Sequence, residues 1–290
     1  MLNRQAIGSL CLVATATGWA LGWSVMKVLL RDWPPLFARG VAGIAASLLL
    51  ALIAVWSKEN PRVPRAVWPR LLFAAFTNVF AWMGFATLTM QWLNVGEGVL
   101  LVFTMPIWAT LLAWPLLGTR PTARGIAALL LGMAGITVLL GGGGLTMEGT
   151  RMFGILAALG AAVLFALGTV LNRSPAPLPA TVSVLWQVGL GSLPLVILGM
   201  LFERPDVGAL TAAGFAALLY VTVIGMTGCY LTWFATLRYL PPAMASTGLL
   251  LVPLIGVLSA SPLLGEPLGW REATAMVLTL SGVTLALWRA

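Results

Sequence analysis

Asn78, Trp82 and Phe85 stand at i, i+4 and i+7, a spacing that puts one amide and two aromatic rings on one face of a helix. Such a face can hold a small molecule reversibly, by hydrogen bonding and stacking, and offers no group for covalent chemistry. The tetrapeptide Phe85-Ala86-Thr87-Leu88 recurs as Phe234-Ala235-Thr236-Leu237. By that offset Thr227 answers Asn78, so two distant segments carry a polar group at the same depth. Trp19 lies between Gly18 and Gly22, Phe165 occupies the matching place further on, and Trp186, Gln187 and Tyr230 add two rings and an amide. These nine residues, Thr227 included, are expected to line a cavity with aromatic walls and neutral hydrogen-bonding groups, suited to a small zwitterion or amphiphile. The competing account is packing: amides bridge helices, and several of the 13 tryptophans belong to interfacial belts. A strongly charged phosphate compound would call for buried Arg or Lys. Lys27 and Arg39 come nearest to that, and both are expected to snorkel to a membrane surface.

Histidine is absent, and the two cysteines, Cys11 and Cys229, each lie inside an apolar run. No metal site, disulfide or cofactor is therefore expected, and no catalytic residue is assigned. Phosphate-loop spacing is missing too, which argues against ATP hydrolysis by that route.

The elements that position these residues follow from composition. Hydrophobic residues make up 60% and charged residues 8% of 290, with a mean hydropathy of +1.00, far from the balance of a soluble domain. The chain is read as an all-α integral membrane protein whose surroundings are lipid, not nucleic acid. Apolar runs of about 20 residues, the length that spans a bilayer, predict ten helices. They fall at 6–27, 35–56, 67–89, 96–117, 122–140, 152–172, 180–202, 209–233, 242–264 and 269–288.

The chain is duplicated. Pro106, Pro115, Leu116, Leu117, Gly118, Arg124, Gly135 and Thr137 recur 147 positions later as Pro253, Pro262, Leu263, Leu264, Gly265, Arg271, Gly282 and Thr284. Gly141 to Gly144 form a run that helices disfavour and mark the join, giving units 1–144 and 145–290. Five helices per unit is an odd number, so the second unit enters the membrane from the opposite side. Inverted repeats of this kind are a plan of secondary transporters, with the substrate held at the repeat interface. Ten of the 16 basic residues, among them Lys58, Arg62, Arg65 and Arg70, fall on the side holding both termini, which predicts cytoplasmic termini. Two opposed units in one chain make a monomer sufficient for function.

Pro106 and Pro253 sit near the middle of the fourth and ninth predicted helices. Each removes a backbone donor, and the matched pair is expected to act as hinges in alternating access. No acid lies at a predicted helix centre. Glu97, at the start of the fourth helix, is the one candidate proton carrier, and facilitated transport is the expected mode.

The run from Pro253 through Leu263-Leu264-Gly265-Glu266 to Gly282-Val283 resembles the end signature of the EamA module, which occurs twice in bacterial drug/metabolite transporters. The first copy, Pro106 through Leu116-Leu117-Gly118, has Thr119 where that signature carries Glu. Lys27 and Arg39 are also similar to the family's habit. The resemblance implies a ten-helix exporter of the bacterial inner membrane working by alternating access. Its aromatic interior is most similar to the branch that exports amino acids, aromatic and other neutral ones. The alternative is an exporter of drugs or cationic amphiphiles, disfavoured because the first helix holds no acid between Arg4 and Lys27. An integral membrane enzyme is remote, since Glu266 and Glu272 flank Arg271 at a helix boundary and read as capping. A channel would need a polar ring, and the polar residues are scattered.

Overall fold

The structure is a computed structural model and describes residues 4–118, 120, 122–140, 149–172, 177–241, 244–245 and 248–287. Those residues form helices and turns, with no strand among them. The helices are α1 (Arg4–Leu29), α2 (Pro35–Trp56), α3 (Arg65–Thr89), α4 (Val95–Leu117), α5 (Ala123–Leu140), α6 (Gly149–Leu171), α7 (Ala180–Glu203), α8 (Ala212–Tyr239), α9 (Leu251–Leu264) and α10 (Trp270–Leu287). Among the described residues seven, α1 to α4 and α6 to α8, are long and apolar enough to cross a membrane. The glycine run at 141–144 and Thr119 lie outside the described residues.

Large apolar side chains point outward: Leu52 and Val55 are 67% exposed and Phe202 77%. Small residues are prominent inside, with Ala16, Ala20, Ala42, Ala46, Ala158 and Ala161 fully buried beside larger ones such as Met26, Leu29 and Leu50. This distribution suits lipid, where close backbone approach, not exclusion of oil, holds helices together.

Helix α2 packs against α7, α5 against α10, α1 against α8 and α9, and α6 against α3 and α4. Gly199 faces Phe37, Val196 faces Gly40, Ser192 faces Gly43 and Gly189 faces Ser47. One number falls as the other rises, so α2 and α7 run antiparallel. In the second pair Gly135 faces Thr279 and Gly282 faces Gly132, again antiparallel. Missing side chains at these glycines are what let the backbones meet.

Carboxylates fasten the helix starts. Glu203, ending α7, accepts from the backbone N–H groups of Leu36 and Phe37 at 3.1 and 2.9 Å, and Glu266 accepts from Val95 and Gly96 at 2.8 and 3.2 Å. Each satisfies donors left free in a first helical turn. Gly118 and Gly265 close α4 and α9 in the left-handed conformation, with φ of 69° and 71°, a geometry that a side chain would strain.

Three features depart from the expected helices. The fourth is broken: Val95–Val102 ends in a turn at Phe103 and Thr104 before Met105–Leu117 resumes. Pro106 explains it, since a proline supplies no N–H to the carbonyl four residues back. A matching turn at Leu249 and Leu250 precedes Leu251–Leu264 and Pro253. Second, α3 and α8 each contain a π-helical stretch, Phe76–Ala81 and Tyr220–Gly228. Third, α8 continues to Tyr239, beyond the expected 233. It stops where Leu240 turns extended, as a residue before proline must.

Candidate functional site

The broken and π-helical segments meet around a cavity of about 220 Å³. Trp19 of α1, Asn78, Val79 and Trp82 of α3, and Phe165 of α6 line it, with Val184, Gln187 and Val188 of α7 and Tyr230 and Trp233 of α8. Phe103 and Met105 reach it from the break in α4, and Leu249 from the turn before α9. Irregular backbone at membrane depth is tolerated where it borders such a space.

Two aromatic pairs form the walls. Trp19 and Tyr230 meet edge to face at 5.6 Å, with Trp233 a further 6.0 Å from Trp19. Trp82 and Phe165 meet at 5.6 Å. Both distances lie in the range of favourable ring contacts. The Trp19 indole donates to the Gly225 carbonyl at 2.9 Å, inside the π-helical stretch of α8, and the Tyr220 hydroxyl donates to Gly18 at 3.1 Å. The wall is thereby held in place by backbone that the irregular turn leaves available. The Trp82 N–H is shielded from solvent and has no acceptor among the described residues. An unmet donor of this kind costs about 1–3 kcal/mol, so it gains most from an acceptor arriving with a ligand.

Two amides add hydrogen-bonding groups to the lining. The Asn78 amide donates to Gln187 Oε1 at 3.1 Å, and Gln187 donates in turn to Ser183 at 3.0 Å. No charged side chain is among the described residues lining the cavity.

Of the nine residues expected here, Trp19, Asn78, Trp82, Phe165, Gln187 and Tyr230 line the cavity, and Phe85, Trp186 and Thr227 do not. Trp186 donates to the Pro61 carbonyl at 2.9 Å and meets Trp68 edge to face at 5.4 Å. Trp186 is turned toward Pro61 and Trp68 by these contacts, while its neighbours Gln187 and Val188 line the cavity. Phe85 lies against α6, where a Cβ on Gly160 would come within 3.2 Å of its ring. The π turn just before Trp82 uses extra residues per turn and carries the i+7 position past the cavity. Thr227 is buried and donates to the Thr222 carbonyl, five residues back, at 2.8 Å. Trp233, Phe103 and Met105 escaped sequence reasoning. Trp233 was accessible to it, three residues after Tyr230 on the same helical face, and the other two flank the break that Pro106 signals.

The cations expected to snorkel are held by protein instead. Arg39 donates through Nε to Thr87 at 2.9 Å, linking α2 to α3, and Lys27 donates to the Met90 and Leu93 carbonyls in the turn between α3 and α4. Glu97 is buried at the start of α4. It forms a reciprocal capping box with Asn94 and an ion pair with Arg151 of α6, so its structural partners account for its position.

A family model described as the EamA-like transporter family matches residues 6–141 and 152–288. The chain is 28% identical over 272 residues to "Uncharacterized transporter YvbV" of Bacillus subtilis, covering 92% of this chain and 87% of that protein. It is 28% identical over 276 residues to a "Probable amino-acid metabolite efflux pump" of Salmonella typhimurium, covering 91% and 89%. With "Uncharacterized inner membrane transporter YedA" of Escherichia coli it shares 27% over 274 residues, 92% and 86% of the two. A solved crystal structure superposes with a TM-score of 0.67 at 20% identity over 96% of each chain, a likeness of fold. The apolar helices, the enclosed cavity and the two family matches agree: the chain belongs to the EamA-like transporter family and is a multi-pass membrane transporter.

Proposed function

We propose that the chain exports amino acids, aromatic and other neutral ones foremost, across the bacterial inner membrane by alternating access. The observation that carries this reading is the cavity itself: four of its rings form paired walls, two amides add hydrogen-bonding groups, and both proline-linked breaks open onto it. A ring enters between Trp19, Trp82, Phe165 and Tyr230, while the amides accept and donate to the polar end. The Salmonella typhimurium relative, a "Probable amino-acid metabolite efflux pump", supports the same substrate class.

The mechanism rests on two inverted five-helix units, 1–144 and 145–290, joined through the glycine run. Exchanging each helix for its counterpart five places on maps the packing pairs onto themselves, and the equivalent helices α2 and α7 are antiparallel. Pro106 and Pro253 are then the hinges, rocking one unit against the other around the site. Both termini lie in the cytoplasm, one chain suffices, and flux is facilitated, with no carboxyl among the described residues that line the cavity.

A second reading has one observation in its favour. Uncharged aromatic walls also hold organic cations, so an exporter of cationic amphiphiles is the alternative. The test places purified protein in liposomes and follows radiolabelled amino acids, with and without a pH gradient, against empty vesicles. Saturable flux of aromatic amino acids supports export of that class; flux of a cationic dye alone removes it.

A further inference from the structure

Beside the aromatic cavity lies a second one of about 410 Å³. We propose that it is an outer binding site for the carboxylate of the incoming substrate, with Arg70 as its anchor. The proposal rests on the amino-acid reading and assigns the part of the molecule that the aromatic cavity leaves unmatched.

The two cavities share Asn78, Val184 and Gln187, so the Asn78–Gln187 hydrogen bond stands at the boundary between them. Beyond it the outer cavity is more polar: Arg70, Asn172 and Ser183 line it. Arg70 Nε donates to Asn172 Oδ1 at 2.7 Å, which fixes the plane of the guanidinium. That group carries five N–H donors, and among the described residues this bond uses one. Arg70 is also the one charged side chain among the described residues that line the space. A half-buried guanidinium held in orientation, with no acid among the described residues that line the space, matches a carboxylate in charge and in its paired-donor geometry. It repels an organic cation.

Ser183, Gln187 and Asn78 continue the polar wall from this mouth inward. Along α3, Arg70 and Trp82 are 12 residues apart, on the order of 18 Å at helical rise. A free amino acid does not bridge that distance. The two sites are therefore used in turn: the outer one selects for the carboxylate, and the inner one selects for the side chain.

The test reads the charge of the outer cavity without requiring transport. In a chain carrying Cys11→Ser and Cys229→Ser, Ala180→Cys places a thiol on the lining of this cavity, at an exposed position. Its labelling in membrane vesicles by a negatively charged, a positively charged and a neutral methanethiosulfonate reagent is compared, each rate divided by that for a free thiol. The expected result is a preference of about fivefold for the anionic reagent, lost in Arg70→Gln and kept in Arg70→Lys. The neutral reagent reacts equally in all three, which reports an intact fold. L-Tryptophan slows anionic labelling and tryptophanamide does not. Equal normalised rates with Arg70 present, or a preference that survives Arg70→Gln, overturns the anion site; equal protection by both compounds overturns carboxylate recognition. Flux of the same two compounds into liposomes separates this from the amino-acid reading. Absent tryptophan flux with the anionic preference intact removes that reading and leaves a carboxylate site standing.

Discussion

The side-chain amides of Asn78 and Gln187 meet at 3.1 Å, and this one hydrogen bond ties α3 to α7 where the aromatic cavity gives way to the polar one. Removing either partner takes this contact from the other amide, leaving Gln187 its bond to Ser183 and Asn78 its bond from Thr77. The net worth of such a bond is about 1 kcal/mol, so Asn78→Ala and Gln187→Ala should each reduce flux about fivefold. Because both remove the same contact, the double variant should be little worse than either alone. Independent, multiplying losses in the double variant would show that the two amides act separately and that the boundary is not a unit.

The paired rings give a comparison with an internal control. Trp82→Ala should raise the half-saturation concentration for aromatic amino acids about tenfold, since it removes a wall and a ring contact worth about 0.5–1.5 kcal/mol. Trp186→Ala should leave that concentration unchanged, because Trp186 is engaged with Pro61 and Trp68 outside the cavity. Similar effects from both would mean the cavity does not hold the substrate.

The same pair of tryptophans marks how far the sequence could be read. Spans, duplication and six lining residues follow from apolar run length and a fixed offset, which are properties of the chain taken a helix at a time. Phe85 follows from assuming a regular helix around it, and Trp186 from its place beside Gln187. The π turn at Phe76–Ala81 shifts the phase of α3, and nothing in its residues announces an extra residue per turn. Arg39 is a second kind of case. Its hydrogen bond to Thr87 depends on α2 meeting α3, and a contact between helices cannot be derived from either alone. Where a proline forces irregularity, as at Pro106, the signal was in the chain.

Pro106→Ala restores an N–H and lets α4 close across Phe103 and Thr104. If the break is a hinge, maximal flux should fall several-fold while half-saturation changes little, because ground-state contacts are untouched. Pro106→Ala with Pro253→Ala should be slower than either single variant. Turnover at the wild-type rate in the double variant would make both breaks static.

Glu97 separates stability from coupling. Its capping box with Asn94 and its ion pair with Arg151 predict that Glu97→Gln costs about 1 kcal/mol, seen as an unfolding midpoint in detergent lowered by roughly 2–4 °C. The ratio of flux with and without a pH gradient should match that of the unaltered chain. A gradient response present in the unaltered chain and abolished in Glu97→Gln would instead make this carboxyl the proton carrier.

A two-fold relation between the halves makes a demand on α5 and α10. Gly135 faces Thr279, and Gly282 faces Gly132; adding 147 to one member of each pair and subtracting it from the other turns the first contact into the second. In a background of Cys11→Ser and Cys229→Ser, Gly135→Cys with Thr279→Cys should therefore crosslink under mild oxidation. Gly132→Cys with Gly282→Cys should do the same, at a comparable rate, since a disulfide forms only where the two backbones come close. Both crosslinks hold α5 against α10 at equivalent depths on opposite sides of the symmetry axis. Crosslinking at one pair with none at the other would break the equivalence of the two units, and with it the basis of the proposed alternating access.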